Sequence, residues 1–369
     1  MTSLFENIVC TAFYVEIQMI KFDCDYLEGC HPDILKMLEK TNFEQTDGYG
    51  CDKYCKKAEK LILAACGFAG KRGKNIPDVH FLVGGTQTNT TVIASILRPH
   101  QGVISAVTGH VNVHETGAIE STGHKVLALP SKDGKLTAEQ IEKYAAACAG
   151  DCNYEHIVQP GMVYISFPTE NGTIYSKREL SDIRNVCKKY KLPLFIDGAR
   201  LGYGLAAAEN DLTLPDIASL CDVFYIGGTK NGALFGEAVV ITNNAFKKDF
   251  RNIIKQRGGM LAKGRLLGIQ FAALFSDGLY FRLAQHAVKM ASEIKNTLKN
   301  NGIEFLFGSP TNQIFPIFPD KVYEKLSKKF SFAFWEKVGE KQTAVRICTS
   351  WATKESDVAA LIKELSGSN

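Results

Sequence analysis

The sequence predicts an α/β fold with two units: a mostly parallel sheet covered by helices on both faces, followed by a smaller α+β unit. From about residue 50 to about residue 245, short apolar runs alternate with segments whose apolar residues recur at helical spacing. These runs are apolar throughout, which is typical of parallel strands buried on both faces. Beyond residue 245 the alternation ends, and a long helical stretch leads into a different pattern of strands and helices.

Seven strands are predicted in the larger unit, separated by helices with recognisable ends. The strands are "VHFLV", "GVISAV", "KVLALP", "GMVYISF", "LPLFID", "DVFYIG" and "EAVVIT". The helix "LTAEQIEKYAAACAG" starts at a threonine and stops at a glycine, and "DKYCKKAEKLILAACG" stops at Gly67. In "SKRELSDIRNVCKKY" the serine is followed three residues later by Glu179, which predicts a capping box.

The predicted domains are an N-terminal extension and arm (1–45), a larger domain (46–255), and a smaller C-terminal domain with its linking helix (256–369). The arm contains one short helix, "PDILKMLEK", and residues 1–18 are interpreted either as a dispensable extension or as an artefact of start-site choice. In the smaller domain we expect a long helical region over about 263–300, strands at "IEFLF", "NQIFPIF", "FAFWEKV" and "AVRICTSW", and helices near 320–330 and from about 353.

The composition argues against several classes of protein. Of the 369 residues, 45% are hydrophobic and 22% are charged, as in ordinary globular proteins. A net charge of +4 without a long basic run argues against a nucleic-acid partner, and no apolar run reaches the roughly 18 residues of a membrane-spanning helix. The first residues lack the basic region and the cleavage site of a signal peptide. The eleven cysteines are scattered rather than paired at zinc-ribbon spacing, so we expect reduced thiols and a cytoplasmic protein.

Three polar groups follow predicted strands, at the edge where an open parallel sheet binds its ligands. The turn Gly84-Gly85-Thr86 opens a helix, so its free N–H groups and the helix dipole suit a phosphate; Thr86 as a plain helix cap is the alternative. Asp197 ends "LPLFID", where it either caps the next turn or pairs with the protonated ring nitrogen of a cofactor. Lys230 follows "VFYIGGT", and a dry site there would lower the pKa of its amine and make it a nucleophile; a snorkelling surface lysine is the alternative.

These groups have one economical joint explanation, a pyridoxal phosphate site. One strand–helix–strand unit fits between Asp197 and Lys230, so we expect them to face each other across neighbouring strand ends. The aspartate would keep the pyridine nitrogen protonated, and the lysine would hold the aldehyde as a Schiff base. The turn would bind the phosphate. Gln87, which directly follows the turn, and Thr229, which directly precedes Lys230, are further cofactor-binding candidates.

Two histidines follow the strand "GVISAV" in the stretch "GHVNVHETGAIE". The imidazole of His110 is positioned to stack on the pyridine ring and to move protons. His110 and His114 also have the spacing of a metal pair on a helix, with His124 as a third candidate, but no persuasive ligand set emerges and we predict no metal. Capping or surface histidines are the remaining interpretation.

Seven stretches resemble those of fold-type I pyridoxal-phosphate enzymes of the aspartate aminotransferase-like superfamily, specifically the L-threonine aldolase and β-eliminating lyase group. They are "TDGYGCD", "GGTQTN", "GHVNVHETGA", "IDGARLGYG", "GGTKNG", "RGGM" and "AVRICTSW". They occur in the family's order and cover nearly the whole chain from about residue 20 onward. Each stretch alone is a weak signal, but the set is specific.

The resemblance implies the same roles for Lys230, for Asp197 and for the turn Gly84-Gly85-Thr86. It also implies that His110 stacks on the cofactor ring. It also implies that Arg200 and Arg346 lie near the cofactor phenolate and the substrate carboxylate, which a guanidinium fork suits. Tyr49 would approach the site of a neighbouring subunit, because the family forms dimers or dimer-based tetramers with shared sites.

The chain also departs from the family pattern. In "FPTENG", Glu170 stands where the family has a histidine near the substrate hydroxyl. Cys24 stands at a substrate-side position where serine or asparagine is common. After "GGM" the chain reads "LAKGR", so Lys263 or Arg265 would supply any phosphate contact from a neighbouring subunit. These departures bear on the substrate rather than on the cofactor.

The predicted function is a pyridoxal-phosphate aldolase that cleaves a β-hydroxy-α-amino acid, of the L-threonine or L-allo-threonine type, to glycine and an aldehyde. His110, directly or through water, and Glu170 are the candidate bases for the β-hydroxyl; His110 is favoured because a carboxylate of ordinary pKa is a weak base for an alcohol. A β-eliminating lyase and a phenylserine-type aldolase are alternatives. Two alternatives come from other classes of protein: a non-catalytic binding protein of this fold and a nucleotide-binding oxidoreductase. The stretch "GGTQTN" lacks the G-x-G-x-x-G spacing of such an oxidoreductase.

Overall fold

The fold is that of a computed structural model, which describes residues 19–71 and 73–366. In chain order the strands are β1 (Ile20–Phe22), β2 (Asp78–Leu82), β3 (Gln101–Ala106), β4 (Val126–Leu129), β5 (Gln159–Ser166), β6 (Leu194–Asp197), β7 (Val223–Gly227), β8 (Glu237–Ile241), β9 (Gln313–Ile314), β10 (Ile317–Pro319), β11 (Phe330–Gly339) and β12 (Gln342–Cys348). The α-helices are α1 (Pro32–Thr41), α2 (Lys53–Leu63), α3 (Gly85–Ile96), α4 (His110–Val113), α5 (Ala138–Ala149), α6 (Lys177–Lys189), α7 (Leu201–Ala206), α8 (Leu214–Leu220), α9 (Phe250–Gln256), α10 (Arg265–Phe275), α11 (Leu279–Asn300), α12 (Asp320–Leu326) and α13 (Glu355–Ser366). The predicted extension, residues 1–18, lies outside the described residues.

The larger sheet has the strand order β2-β8-β7-β6-β5-β3-β4 in the described part of the chain. Its neighbours pair in parallel except at β8, which runs antiparallel to both β7 and β2. All seven strands predicted from the apolar runs are present. Six carboxyl ends and the amino end of β8 therefore meet at one edge of the sheet.

Helices cover both faces of this sheet, as the apolar runs predict. On one face the core includes Ile183 of α6 and Phe271 of α10, both fully buried. On the other it includes Val92 of α3 and Phe250 of α9. The predicted capping box of α6 is present, with Ser176 and Glu179 satisfying each other's backbone N–H groups. The mostly parallel, doubly covered α/β sheet is thus confirmed.

The smaller sheet has the order β1-β11-β12-β10, with β9 also paired to β12. Strand β1 belongs to the arm and pairs in parallel with β11, with Ile20 opposite Phe330. Phe22 packs into the core of this unit together with Met290 of α11. Sequence reasoning missed β1, because a run of three residues carries no periodicity and its partner lies far along the chain.

The long helical region predicted over 263–300 is present, but a turn divides it into α10 and α11, where Asp277 and Gly278 have positive φ angles of 51° and 68°. The dipeptide Asp-Gly is a turn signal that should have predicted this break. The strand "IEFLF" is wrong, since only an isolated bridge joins Phe305 to Pro316. Two short helices, α7 and α8, rather than one, connect β6 to β7.

The domain boundaries at residues 45 and 255 stay a prediction. The structure shows α10 packed against α1 and α2, while α11 contacts both α7 and α13. None of the helices between residues 19 and 366 that the structure describes is long and apolar enough to cross a membrane.

We expect Asp222 to be a strong determinant of stability, because it fixes the ends of β6 and β7 that lie opposite the ligand-binding edge. Its buried carboxylate pairs with Arg184 of α6 and accepts hydrogen bonds from the backbone N–H of Leu194, at 2.8 Å, and from Asn243, at 2.8 Å. The Asp222→Ala variant leaves the Arg184 charge largely buried without its partner, which costs about 3–5 kcal/mol of unfolding free energy. Urea unfolding followed by circular dichroism measures this loss.

The matched control is Glu355→Ala. Glu355 forms an ion pair with Lys289 at 3.2 Å, but both side chains are well exposed. Solvent screens such a pair, so this variant should unfold at nearly the wild-type urea concentration. Equal stability of the two variants would contradict the role given to Asp222.

Candidate active site

A cavity of about 190 Å³ opens at the carboxyl edge of the larger sheet. It lies where β2, β5, β6 and β7 end and where β8 begins. Its lining residues are Val83, Gly84, Gly85, Thr86, His110, Ser166, Pro168, Glu170, Asp197, Ala199, Arg200, Tyr225, Thr229, Lys230 and Glu237. The cavity therefore brings together the turn Gly84-Gly85-Thr86, the strand-end aspartate and the strand-end lysine singled out in the sequence.

Asp197 ends β6 with its side chain surrounded by hydrogen-bond donors. One carboxylate oxygen accepts from the phenol of Tyr164 at 2.6 Å and from Asn89 at 3.1 Å. The other accepts from the phenol of Tyr225 and from the backbone N–H of Ala199 at 3.0 Å. Burial alone would raise the pKa of Asp197, but the nearby His110 and these hydrogen bonds outweigh it and hold the pKa below the usual value. The carboxylate is therefore ionised and suited to pair with a cation.

The phosphate turn opens α3, whose N-cap is Gly84. The alternative of Thr86 as the cap is thus wrong, and no side chain caps this helix end. A Cβ atom at Gly85 would lie 3.2 Å from the hydroxyl of Tyr225. Glycine therefore keeps the space above the strand ends open. Gln87 does not line the cavity; its side chain accepts a hydrogen bond from the backbone N–H of Val83 at 3.3 Å.

Lys230 lies in the loop between β7 and β8, and hydrogen bonds before and at the lysine hold this loop in place. Gly228 donates to the carbonyl of Gly236 at 3.0 Å, and the phenol of Tyr203 donates to the Lys230 carbonyl. Burial and the charge of Arg200 lower the pKa of the Lys230 amine, although the neighbouring Asp25 acts in the opposite direction. Nothing in residues 19–71 and 73–366 forms a hydrogen bond or ion pair with this amine, so it is free to react.

Arg200 is held by a carboxylate from the arm. Its guanidinium donates to both oxygens of Asp25, at 2.7 and 3.0 Å, and Asn312 donates to the same carboxylate at 3.0 Å. Asp25 is fully buried, which would raise its pKa, but the charges of Arg200 and Lys230 bring the pKa below the usual value. Arg200 is thus a fixed cation beside Lys230.

His110 begins the short helix α4 and belongs to a chain of hydrogen bonds. Its Nδ1 atom lies 2.8 Å from Oε1 of Glu115, which also accepts from Asn89 at 2.7 Å. Burial opposes protonation of His110, but the hydrogen bond to Glu115 and the charge of Asp197 together raise its pKa. Glu115 therefore fixes both the orientation and the basicity of the imidazole.

Glu170 lies beside His110 but contacts its backbone rather than its ring. Its Oε1 atom accepts from the backbone N–H of His110 at 2.9 Å and from Ser166 at 2.6 Å. Burial raises the pKa of Glu170, and the hydrogen bond from Ser166 only partly offsets this. A cis peptide bond joins Phe167 to Pro168 just before this residue.

A second cavity of about 400 Å³ lies next to the first, toward the smaller sheet. Its lining residues are Tyr26, His110, His114, Glu170, Arg200, Lys230, Ala333, Phe334, Trp335 and Arg346. Arg346 is oriented by Gln313, at 3.3 Å, and by the carbonyl of Asp23, at 2.9 Å. The side of this cavity facing β11 is aromatic.

Four residues considered in the sequence lie away from these cavities. Cys24 belongs to the arm beside Asp25 but lines neither cavity. Tyr49 is 46% exposed at a separate surface, with the Lys255 ammonium 4.8 Å from the centre of its ring. Arg265 donates to the carbonyls of residues 41, 42 and 44 of its own chain, whereas Lys263 is exposed. The described residues contain no group of three His, Cys, Asp or Glu side chains that could hold a metal.

Sequence reasoning missed several groups around the site. Tyr164 and Tyr225 are phenols inside apolar strands, and such hydroxyls need a partner, which is a usable signal. Glu237 opens the apolar strand β8 and is only 3% exposed, so its charge among apolar residues was also a signal. Asp25 lies in the polar stretch "DCDYLEG", where nothing indicates burial.

Residues 37–319 match the family described as beta-eliminating lyase. A low specificity L-threonine aldolase from a Pseudomonas species is 30% identical over 358 residues, which cover 94% of this chain and 97% of that protein. The solved structure of a Leishmania major threonine aldolase is 44% identical with a TM-score of 0.90, covering 94% of this chain and 99% of that one. A variant of Thermus thermophilus aspartate aminotransferase, 12% identical with a TM-score of 0.68 over 95% of this chain and 91% of that one, shares the fold. The chain therefore belongs to the β-eliminating lyase family and has the fold of the aspartate aminotransferase-like enzymes.

Proposed function

We propose that this lyase is a pyridoxal-phosphate-dependent aldolase that cleaves a β-hydroxy-α-amino acid of the L-threonine or L-allo-threonine type to glycine and an aldehyde. The observation that carries the proposal is the convergence of an ionised Asp197, an uncapped helix end at Gly85 and the unpaired amine of Lys230 in one cavity. The names of the Pseudomonas and Leishmania relatives support the reaction. Family membership argues against a non-catalytic binding protein.

The residues present fit this cofactor. The N–H groups at the start of α3 suit a phosphate, and Asp197 suits a protonated pyridine nitrogen. When bound, pyridoxal phosphate supplies an electron sink for the pair released as the Cα–Cβ bond breaks. Burial and the charge of Arg200 lower the pKa of Lys230, which favours the neutral, nucleophilic form of its amine.

The remaining steps belong to side chains of this chain. His110, oriented by Glu115, takes the proton from the substrate hydroxyl, directly or through a water. Glu170 orients the start of α4 through the His110 N–H and the Ser166 hydroxyl, which makes it a positioning residue. Arg346 in the outer cavity binds the substrate carboxylate, beside the fixed guanidinium of Arg200.

A second candidate is an aldolase for substrates with a bulky aromatic side chain. Phe334, which is 59% exposed, lines the outer cavity together with Trp335 and Tyr26. Such a wall favours an aromatic β-substituent through ring contacts. The β-eliminating activity named for the family is distinguished from both by its products, a keto acid and ammonia.

We also propose a homodimer or homotetramer with shared sites and a cytoplasmic location. The exposed surface that joins Tyr49 to Lys255 and Met260 is separate from the cavity of its own chain, as a contribution to a neighbour's site requires. The ten described cysteines are free thiols, which suits a reducing compartment.

The test of the proposed function is cofactor uptake and product formation with Lys230→Ala as the partner variant. The wild-type protein should show a visible absorption band with added pyridoxal phosphate that borohydride removes, and it should release glycine and acetaldehyde from L-threonine. Lys230→Ala should show neither the reducible band nor turnover above about a thousandth of the wild-type rate, because the attacking amine is gone.

Substrates separate the candidates in the same assay. Threonine, allo-threonine, phenylserine and serine are compared, and the aldehyde and keto acid are measured for each. A protein that takes up the cofactor but releases no aldehyde from any of them is not an aldolase. A protein that takes up no cofactor contradicts the proposal as a whole.

A pH profile tests the role of Glu115. Because the hydrogen bond to Glu115 raises the pKa of His110, Glu115→Gln should lower that pKa. A base acts in its neutral form, so activity falls as pH drops through the pKa of His110. The acid limb of kcat/KM against pH should therefore move to lower pH in Glu115→Gln. The exposed Glu120, changed to Gln, is the control and should leave the limb in place; an unmoved limb in both variants removes His110 as the base.

The arm should be needed for activity through Asp25. Asp25→Asn keeps the shape of the side chain but withdraws the charge that faces Arg200 and Lys230, which costs about 3 kcal/mol of unfolding free energy. The variant should also raise the KM for threonine, since Arg200 is no longer held beside the cavity. Asp33→Asn, on α1 of the same arm, is the control for both kinetics and urea unfolding, because the Asp33 side chain is exposed and pairs only with His31 and the exposed Lys36 among the described residues. Wild-type kinetics in Asp25→Asn would show that the arm only covers the site.

A further inference from the structure

Glu237 has a position that the proposed reaction does not explain. It is the first residue of β8, the reversed strand, and it lies opposite Gly227 of β7 and Leu82 of β2. Its side chain is only 3% exposed and lines the inner cavity together with Gly84, Gly85 and Thr86. The reversal of one strand thus puts a carboxyl group between the lysine loop and the phosphate turn.

Only half of this carboxyl group has a partner. Oε1 accepts a hydrogen bond from the hydroxyl of Thr229 at 3.0 Å, and that hydroxyl in turn accepts from the backbone N–H of Gly236 at 2.9 Å. Oε2 is buried and forms no hydrogen bond with any of the described residues. A buried, unpaired carboxyl oxygen in a polar cavity is costly unless a ligand or a proton satisfies it.

The surroundings of Glu237 favour its neutral form. Burial raises its pKa to about 8, even though the charge of Lys230 and the hydrogen bond from Thr229 lower it. Asp197, at the end of β6, adds to the rise. Burial raises the pKa of the Tyr225 and Tyr280 phenols, and the charge of Glu237 adds to this rise.

Among the described residues, the charges that act most strongly on Glu237 are those of Lys230 and Asp197. Helix α3, which covers this face, has no charged side chain in residues 85–96. On β2 the titratable residues His80 and Asp78 pair with Val239 and Ile241, farther from the edge. The Lys230 amine is thus the cation with the largest effect on Glu237 in the described part of the chain.

We propose that Glu237 must be neutral when the phosphate group of the cofactor is bound, so that binding at alkaline pH takes up one proton at this carboxyl group. This inference rests on the proposed function, since it concerns the same phosphate pocket. A phosphate monoester carries nearly two negative charges at neutral pH, and an ionised carboxylate in the same dry cavity repels it. A neutral carboxyl group instead presents an O–H at its unpaired oxygen, which can donate to a phosphate oxygen. The proton comes from solvent, and no covalent bond of the cofactor changes.

The affinity of the protein for the cofactor should therefore fall as the pH rises. Below a pH of about 8 the carboxyl group is already protonated and the cofactor binds with full affinity. Above that pH the protein must first take up a proton, so the Kd rises by about tenfold per pH unit. At pH 9 the Kd should be about ten times its value at pH 7 from this cause alone.

The experiment measures the Kd of pyridoxine 5′-phosphate, which lacks the aldehyde and forms no bond to Lys230, by calorimetry from pH 6.5 to 9.5. Wild type is compared with Glu237→Gln, whose side chain is neutral at every pH. The ring nitrogen and the phosphate of the ligand titrate equally in both, so the ratio of the two Kd values isolates Glu237. The same pair is measured with Lys230→Ala, which removes the titration of the amine.

The ratio of wild-type to Glu237→Gln Kd should be constant below pH 7.5 and rise about tenfold by pH 9. In the Lys230→Ala pair the rise should begin at higher pH, because the cation that favours ionised Glu237 is gone. A ratio that stays within twofold over the whole range overturns the inference and leaves the proposed function intact. Failure of the wild-type protein to bind the ligand at pH 7 overturns both.

A second variant keeps the inference testable when Glu237→Gln does not fold. Thr229→Val removes the hydroxyl that stabilises ionised Glu237, so the pH at which wild-type affinity begins to fall should move upward. A weaker affinity with the break at the wild-type pH overturns the inference, because Thr229 would then act on the ligand alone.

Discussion

A buried ion pair between Asp25 and Arg200 joins the three parts of the chain on which the site depends. The carboxylate comes from the arm, the guanidinium follows β6 of the larger sheet, and Asn312 reaches the same carboxylate from the smaller unit. Neither charge is tolerable in the interior without the other. The arm, the sheet edge and the smaller unit must therefore pack together, and the outer cavity, which residues of all three line, forms only when they do. The parallel pairing of β1 with β11 holds the other end of the same arm.

The site contains several acidic groups in a small volume, and their partners decide which of them are charged. Asp197 accepts four hydrogen bonds, so its pKa lies below the usual value despite burial. Glu237 has one hydrogen bond and an unpaired oxygen, and burial raises its pKa to about 8. Glu115 is paired with His110 and serves to set the basicity of the ring. Similar carboxyl groups thus supply an anion and a neutral acid that line the inner cavity and an orienting partner behind His110.

Much of the fold was predictable because its signals are local. Continuous apolar runs identify each strand of the larger sheet, and the strand-end positions of Asp197 and Lys230 then follow from the parallel arrangement. What could not be predicted depends on contacts between distant segments. Strand β1 and the burial of Asp25 arise only when the arm meets β11 and Arg200. Glu237 lies between these cases: the charge before "AVVI" is visible in the sequence, but its role depends on the reversal of β8, which apolar runs alone do not reveal.

The loop that carries Lys230 has a kinetic consequence. Paired strands close it at both ends, Tyr203 binds the lysine carbonyl, and Tyr280 binds the carbonyl of Gly227 just before it at 3.1 Å. The backbone of the loop is therefore fixed, and only the four-carbon side chain of the lysine moves. In the proposed reaction, an amine displaced by the substrate would stay in the cavity as a tethered group at high effective molarity. The release of glycine would then not depend on a nucleophile that arrives from solvent.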